Sequence, residues 1–186
     1  MTRPSPRAHE PAAFSAGEAI AGGALTLAAY LVVSYVWYWL MTVLTMGGPL
    51  GMEALGGAWV WAYFVWVYGA LTALPAAIVG TATAVLVGRA MRRRASFPLH
   101  LLVHALHAYV IGALATIVCL LVIQAQPDLG GFVFYPLLWG APATAIAALI
   151  GWRWIVAIAR RRDMRRIRAD YLTDMSPVDG VVSGNP

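Results

Sequence analysis

The stretch Gly88-Arg89-Ala90-Met91-Arg92-Arg93-Arg94 lies at the middle of the chain and holds four of its thirteen basic residues. Long apolar stretches flank it on both sides. Arginine at the end of an apolar span keeps that end in the cytoplasm. The stretch therefore predicts a cytoplasmic turn between two membrane-spanning helices, and it sets the orientation of the other spans.

The composition excludes an ordinary soluble domain. The 186 residues are 61% hydrophobic and 11% charged, with a mean hydropathy of +0.72, whereas soluble domains carry about 25% charged residues. The net charge of +5 comes from arginines with no lysine, a usage typical of a GC-rich bacterial genome. Because these arginines lie at the ends of apolar spans, membrane topology explains them and no nucleic-acid partner is predicted. The single cysteine, Cys119, offers neither a disulfide framework nor zinc-ligand spacing.

Four apolar spans are predicted at about residues 20–46, 59–87, 100–123 and 135–159, within a transmembrane domain of residues 17–162. Residues 1–16 are expected to form a flexible cytoplasmic tail, and residues 163–186 a basic and then disordered one. No arginine lies in the loop after the first span or in the loop after the third. The sequence thus predicts an all-α, multi-pass protein of the bacterial plasma (inner) membrane, with four transmembrane helices and both termini cytoplasmic.

The second span carries small residues at steps of three or four, a pattern that lets another helix approach closely in lipid. Proline inside a span removes a backbone hydrogen bond and is expected to kink the helix at Pro75. The small residues of this stripe are Gly69, Ala73, Ala77, Gly80, Ala84 and Gly88.

The third span begins with His100, His104 and His107, at positions i, i+4 and i+7 of one helix face. Two imidazoles at i and i+4 can share a metal ion, and ionisable residues inside a membrane are candidates for function. Three interpretations stay open: structural or interfacial histidines, a proton-linked or ion-binding role, and a metal or haem site. No cofactor is predicted, and haem or metal is the minor alternative.

Glu18 at the start of the first span and Arg153 in the fourth are expected in the inner leaflet, near the histidine face. A pair between them, or between Glu18 and a histidine, would satisfy two groups that are costly to bury. The alternative is that each side chain reaches the interface separately.

Aromatic residues crowd the predicted outer half of the spans. An aromatic belt at the membrane interface explains most of them, and a pocket for a lipid-like ligand is the alternative for five tryptophans. The arginines after the fourth span either signal topology or bind anionic lipid headgroups on the cytoplasmic face. The candidates are Trp37, Trp39, Trp61, Trp66 and Trp139 for the pocket, and Arg160, Arg161, Arg162, Arg165 and Arg166 for the headgroups.

No motif for a nucleophilic hydrolase, a zinc protease or a nucleotide-binding loop occurs, and no paired carboxylates lie within the spans. The sequence therefore favours a non-enzymatic role. The leading hypothesis is an accessory or scaffolding subunit that contacts other membrane proteins or further copies of itself. The alternative is a ligand-handling protein, either an oligomeric small transporter or a binder of quinone, lipid or haem, centred on the histidine face.

Overall fold

The structure, a computed structural model, describes residues 14–46, 52–91, 94, 96–122 and 129–175. Over these residues the fold is all-α, and four helices are long and apolar enough to cross a membrane, which confirms that part of the prediction. Of the predicted terminal tails, residues 1–13 and 176–186 lie outside the described residues, whereas residues 163–175 belong to the last helix. The elements are α1 (Ala16–Met46), α2 (Met52–Met91), α3 (Phe97–Val122), α4 (Leu129–Phe134), a π-helical segment (Tyr135–Gly140) and α5 (Ala141–Met175).

The helices extend further than the apolar spans. Helix α2 starts at Met52, inside the stretch expected to be a loop, and α5 continues to Met175, past the expected end of the fourth span at residue 159. Hydropathy identifies only the apolar part of a helix. The helix itself can continue past that part wherever the following residues favour helical structure. The polar end of α5 is rich in arginine, which is a good helix former.

Helix α1 begins with a capping box. The backbone N–H of Glu18 donates to Ser15 Oγ at 3.3 Å, and the backbone N–H of Ser15 donates to Glu18 Oε2 at 2.9 Å. This reciprocal pair satisfies two of the amide groups that a helix start leaves without intrahelical partners. The buried carboxylate of Glu18 therefore has a structural role at the start of the bundle.

The long helices pack antiparallel as a ring in the order α1, α2, α3 and α5, so that α1 and α3 are diagonal to each other. Gly22 lies against Ile155, and Gly151 lies against Thr26, which sets the register of α1 and α5. The start of α1, the end of α2, the start of α3 and the polar part of α5 consequently share one end of the bundle. We call this the arginine end, since Arg89, Arg94 and Arg160 all lie there.

Glycine and threonine bring the helices into close contact. A methyl group added at Gly112 on α3 would overlap Thr144 on α5, and one added at Gly140 would overlap Thr116. The Thr116 hydroxyl donates to the Gly112 carbonyl at 2.8 Å, and the Thr144 hydroxyl donates to the Gly140 carbonyl at 3.0 Å. The backbones of α3 and α5 therefore meet along two reciprocal glycine–threonine contacts, as small residues permit in lipid.

The π-helical segment precedes a proline that cannot donate a backbone hydrogen bond. The Ala141 N–H donates to the Pro136 carbonyl, five residues back, and Pro142 has no N–H to continue the series. Side chains from two other helices bond the carbonyls that this leaves available. Trp37 Nε1 on α1 donates to the Leu138 carbonyl at 2.9 Å, and Tyr109 Oη on α3 donates to the Leu137 carbonyl at 2.6 Å.

These two bonds explain how a helix with an interrupted backbone pattern is tolerated in the apolar part of the bundle. A backbone polar group in hydrocarbon needs an internal partner, and neighbouring side chains supply it here. The π-helical segment is thereby tied to both α1 and α3. It positions the start of α5, which carries the residues described next.

Candidate functional site

Two histidines of α3 and one tryptophan of α5 form a buried ring cluster near the arginine end. The rings of His100 and Trp152 are nearly parallel, with centroids 6.5 Å apart and an interplanar angle of 12°. The ring of His104 lies 5.5 Å from Trp152 at 35°, and Phe97 lies 5.2 Å from it. We call Phe97, His100, His104 and Trp152 the histidine–tryptophan cluster.

Helix periodicity and close helix contacts together form the cluster. His100 and His104 are one turn apart on α3 and point the same way, while Trp152 follows Gly151, whose missing side chain lets α1 approach α5 at Thr26. His100 is 0% exposed, and His104 and Trp152 are each 8% exposed. His100 and His104 are therefore enclosed by protein.

Hydrogen bonding assigns the tautomer of His100. Its Nε2 lies 2.6 Å from the carbonyl oxygen of Arg94, and because a carbonyl only accepts, Nε2 carries a proton. In the neutral imidazole, Nδ1 then presents a lone pair. This tautomer leaves His100 as a hydrogen-bond acceptor toward the interior of the bundle.

Three buried nitrogens of the cluster have no hydrogen-bond partner within the described part of the chain: His100 Nδ1, His104 Nε2 and Trp152 Nε1. A buried polar group left without a partner costs about 1–3 kcal/mol, and native structures pair most such groups with protein or ordered water. Three such nitrogens belong to this one cluster. Trp152 Nε1 can only donate, whereas neutral His100 Nδ1 can only accept.

Aromatic rings and one arginine close the cluster on its arginine side. Phe14, just before α1, lies 6.3 Å edge-on to Trp152. The guanidinium of Arg160 lies 5.7 Å from the centroid of Phe97, within the range of a cation–π contact. Phe14 and Phe97 therefore pack against Trp152 on the side of the cluster nearest the arginine end.

His107 belongs to a different contact. Its Nε2 lies 2.8 Å from Thr83 Oγ1 on α2, and the Thr83 hydroxyl lies 2.7 Å from the Val79 carbonyl, to which it donates. Since a hydroxyl has one proton, His107 Nε2 donates to Thr83. The three histidines that share a helix face in the sequence thus divide between α5 and α2.

Glu18 and Arg153 are offset in the structure. The α1 and α5 register pairs Gly22 with Ile155 and Thr26 with Gly151, which places Glu18 about 9 Å nearer the arginine end than Arg153, at 1.5 Å per residue. Arg153 is exposed on the outer side of α5. The predicted pairing of these two residues stays a prediction.

The tryptophans proposed for a lipid-like pocket are distributed over different surroundings. Trp139 is buried and packs on Tyr38, with ring centroids 5.5 Å apart. Trp37 bonds the Leu138 carbonyl as described above, Trp39 is partly buried, and Trp66 is exposed on α2. The side chain of Trp61 lies outside what the structure describes. Trp139 is thus part of the π-helical segment, Trp37 bonds that segment from α1, and Trp66 lies on the outer surface.

The basic residues proposed for headgroup binding are all exposed on the polar part of α5, and they are Arg160, Arg161, Arg162, Arg165 and Arg166. Their helix continues the one that carries Trp152. Arg160 and Trp152 thus lie on the same helix, α5, about two turns apart.

Sequence reasoning did not select four residues of these contacts, which are Phe14, Phe97, Trp152 and Thr83. A signal for Trp152 was present, because Trp152 and Trp154 are the two tryptophans outside the aromatic outer half. Thr83 gave no signal, since threonine is common in apolar helices and its hydroxyl usually bonds its own backbone.

No protein-family model, curated protein or solved structure matches the chain. The geometry of the described residues is therefore the basis for function. Over those residues, no group of three or more histidine, cysteine, aspartate or glutamate side chains is placed to hold a metal ion.

Proposed function

We propose that this protein handles a small hydrogen-bonding ligand at the histidine–tryptophan cluster, inside a four-helix membrane bundle. The observation that carries the proposal is the set of three buried ring nitrogens around Trp152 that lack partners among the described residues. Packing alone gives no reason to keep three such groups together, since an apolar residue of similar shape would avoid their desolvation cost.

The ligand both accepts and donates hydrogen bonds. It accepts from Trp152 Nε1–H and donates to His100 Nδ1, and His104 Nε2 supplies a third contact. A hydroxyl group meets both requirements, so the ligand class comprises water, small alcohols and the hydroxyl of a quinol headgroup. A bare metal ion would satisfy the two imidazoles and leave the Trp152 donor without a partner.

The arginine end faces the cytoplasm of a bacterium in this proposal, and the protein resides in the plasma membrane. The supports are the arginine distribution, with none in the two loops at the opposite end of the bundle, and the positive-inside rule. The exposed arginines of α5 then lie at the level of anionic headgroups, where each basic residue contributes about 1 kcal/mol.

Native mass spectrometry of the protein purified from its own membrane in mild detergent tests the ligand. The wild-type chain is expected to retain a small non-protein mass that the variant Trp152→Phe loses, because phenylalanine keeps the ring packing and removes the donor. Trp154→Phe is the matched control, since Trp154 is 57% exposed two residues further along the same helix. A small molecule retained equally by both variants would show that it binds elsewhere. For a ligand as small as water, the indole resonance of Trp152 provides the corresponding test.

A second candidate function is that of an accessory subunit. The observation that favours it is an exposed aromatic edge on α2, where Trp59, Tyr63 and Trp66 are 61%, 64% and 42% exposed at helical spacing i, i+4 and i+7. Aromatic side chains are enriched where proteins bind one another. A stoichiometric second protein in the same mass spectrum, lost when Trp59 and Trp66 are replaced by leucine, would support this function.

A further inference from the structure

Buried polar side chains lie on the two diagonal helices. Over the described residues, Ser34 and Thr42 on α1 and His100 and His104 on α3 are buried, together with the capping residue Glu18. Between Glu18 and Thr42 on α1, and throughout α3, the sequence contains no charged residue. Within an otherwise apolar core, α1 and α3 therefore contribute neutral side chains that can form hydrogen bonds.

The half of the interior away from the arginine end is a hydroxyl-rich contact. The side chains of Tyr30 and Tyr38 on α1 lie close enough to interact with each other. Cys119 on α3 lies near Thr72 on α2 and near both tyrosines. Ser34, between the two tyrosines on the same helix, is 0% exposed.

The half of the interior at the arginine end holds the imidazoles. The register of the helices places the last imidazole close in height to the first tyrosine. The contacts of α5 with α1 and α3 place His107 level with Ala28 of α1. Tyr30 is two residues further along α1, or about 3 Å at 1.5 Å per residue. His104 is three residues before His107 on α3, or about 4.5 Å. Side chains that can donate and accept hydrogen bonds thus occur from His100 to Tyr38 at steps of two to four residues, or about 3–6 Å along the bundle.

We propose that this line of imidazole and hydroxyl groups, from His100 through His104, His107 and Tyr30 to Ser34 and Tyr38, conducts protons across the bundle. In each step a ring nitrogen or hydroxyl oxygen binds an incoming proton, and the proton already on that group passes to the next acceptor. One proton enters and one leaves, no electron is transferred, and the proton gradient drives the net movement. Ordered water supplies hydrogen bonds where neighbouring side chains do not touch.

Imidazole and hydroxyl groups suit this task because each can donate and accept, and histidine is a common proton shuttle. His107 Nε2 already donates to Thr83, which leaves Nδ1 of its neutral form as an acceptor. The charged groups flanking the line are at the arginine end, where Glu18 starts α1 and Arg94 and Arg160 lie near His100. This activity goes beyond ligand binding and does not require an occupied histidine–tryptophan cluster.

Proton flux into liposomes tests the proposal. The full-length protein is reconstituted in vesicles loaded with a pH-sensitive dye, and a potassium diffusion potential set with valinomycin drives protons inward. The expected result is uptake above that of protein-free vesicles, reduced about tenfold by Tyr38→Phe, since losing one hydrogen bond of the line raises the barrier. Tyr38→Phe keeps the ring that packs on Trp139, so the fold is retained.

The control is Tyr171→Phe, which removes a phenol from the exposed polar end of α5 and is expected to leave the flux unchanged. A second variant, His107→Gln, keeps a donor for Thr83 but cannot relay a proton, and it should reduce the flux as Tyr38→Phe does. Wild-type flux equal to that of empty vesicles, or equal flux in wild type, Tyr38→Phe and His107→Gln, overturns the proposal. Both variants leave the cluster around Trp152 intact, so failure here is distinct from failure of ligand binding.

Discussion

Replacing Gly112 by alanine should destabilise the bundle, although alanine is the better helix former. The added methyl group would lie 2.6 Å from Thr144 Cβ and 3.1 Å from the Ala141 Cα atom. Carbon atoms in contact prefer about 3.5–4.0 Å. Thr144 cannot turn away, because Cβ is fixed by the backbone and its hydroxyl bonds the Gly140 carbonyl. Helices α3 and α5 therefore have to separate by about 1 Å to restore normal contact.

The expected free energy follows from two opposing effects. Alanine favours a helix over glycine by about 1 kcal/mol, whereas overpacking a close contact costs about 1–3 kcal/mol, and more where backbone must move. Since the contact at Gly112 involves backbone atoms of α5, a net loss of about 1–2 kcal/mol in the free energy of unfolding is expected. Gly80→Ala provides the comparison, because its methyl group would meet Ile111 at 3.5 Å, an ordinary contact.

The assay is reversible unfolding in mixed detergent micelles, with increasing fractions of dodecyl sulfate and circular dichroism as the readout. Gly112→Ala should unfold at a lower dodecyl sulfate fraction than wild type, and Gly80→Ala at an equal or higher fraction. The double variant Gly112→Ala/Thr144→Gly should recover part of the loss, because it removes the overlapping Cβ atom. Gly112→Ala as stable as Gly80→Ala would refute the close approach of α3 and α5.

Two further substitutions test other parts of the fold. Tyr109→Phe removes the donor to the Leu137 carbonyl. It should lower the free energy of unfolding by about 0.6–1.7 kcal/mol, which spans the average and the maximum for hydrogen bonds between membrane helices. An unchanged unfolding midpoint in the dodecyl sulfate assay would contradict this prediction. Ser15→Ala removes the side-chain cap of α1 and should cost about 1 kcal/mol. Glu18→Gln preserves an acceptor for the Ser15 N–H and should cost less; equal losses would show that the carboxylate charge matters as much as the serine cap.

The apolar runs were sufficient to predict four helices of membrane-spanning length, because a run of about twenty apolar residues has few other stable structures. They could not indicate that α2 starts at Met52 or that α5 continues to Met175. Polar residues continue a helix without any hydropathy signal. The capping box at Ser15 and Glu18 was visible in the sequence, since serine three residues before glutamate at the start of an apolar run is its signature.

The histidine spacing predicted part of the candidate site but not which residues of other helices complete it. Helix periodicity correctly places His100 and His104 on one face, yet which helix faces them depends on the glycine contacts between α3 and α5. Those contacts bring Trp152 to His100 and His104 and turn His107 toward Thr83. A single sequence does not show which residues of different helices pack together.

The polar interior had a sequence signal that hydropathy conceals. Residues of α1 at successive steps of four form one continuous ridge, and they include glycine, glutamate and hydroxyl side chains within an apolar helix. Averaging over a window of about nineteen residues removes this contrast. The ridge consists of Glu18, Gly22, Thr26, Tyr30, Ser34, Tyr38 and Thr42.

The π-helical segment was beyond sequence prediction for a different reason. Pro142 indicated an interrupted hydrogen-bond pattern, but not whether the helix would kink, stop or widen. The outcome depends on Trp37 and Tyr109, which lie on other helices and bond the Leu138 and Leu137 carbonyls. Only the packed bundle brings these donors within reach.

The central claim is that a molecule other than the polypeptide completes the cluster around Trp152, and the indole N–H of this residue reports on it directly. The protein is labelled with ¹⁵N at tryptophan, and the side-chain resonances are assigned by comparison with Trp152→Phe and Trp154→Phe. The Trp152 indole proton is expected to exchange slowly and to show a nuclear Overhauser effect to water or to a bound ligand. A Trp152 indole proton with no such contact would contradict this claim and identify the cluster as packing alone.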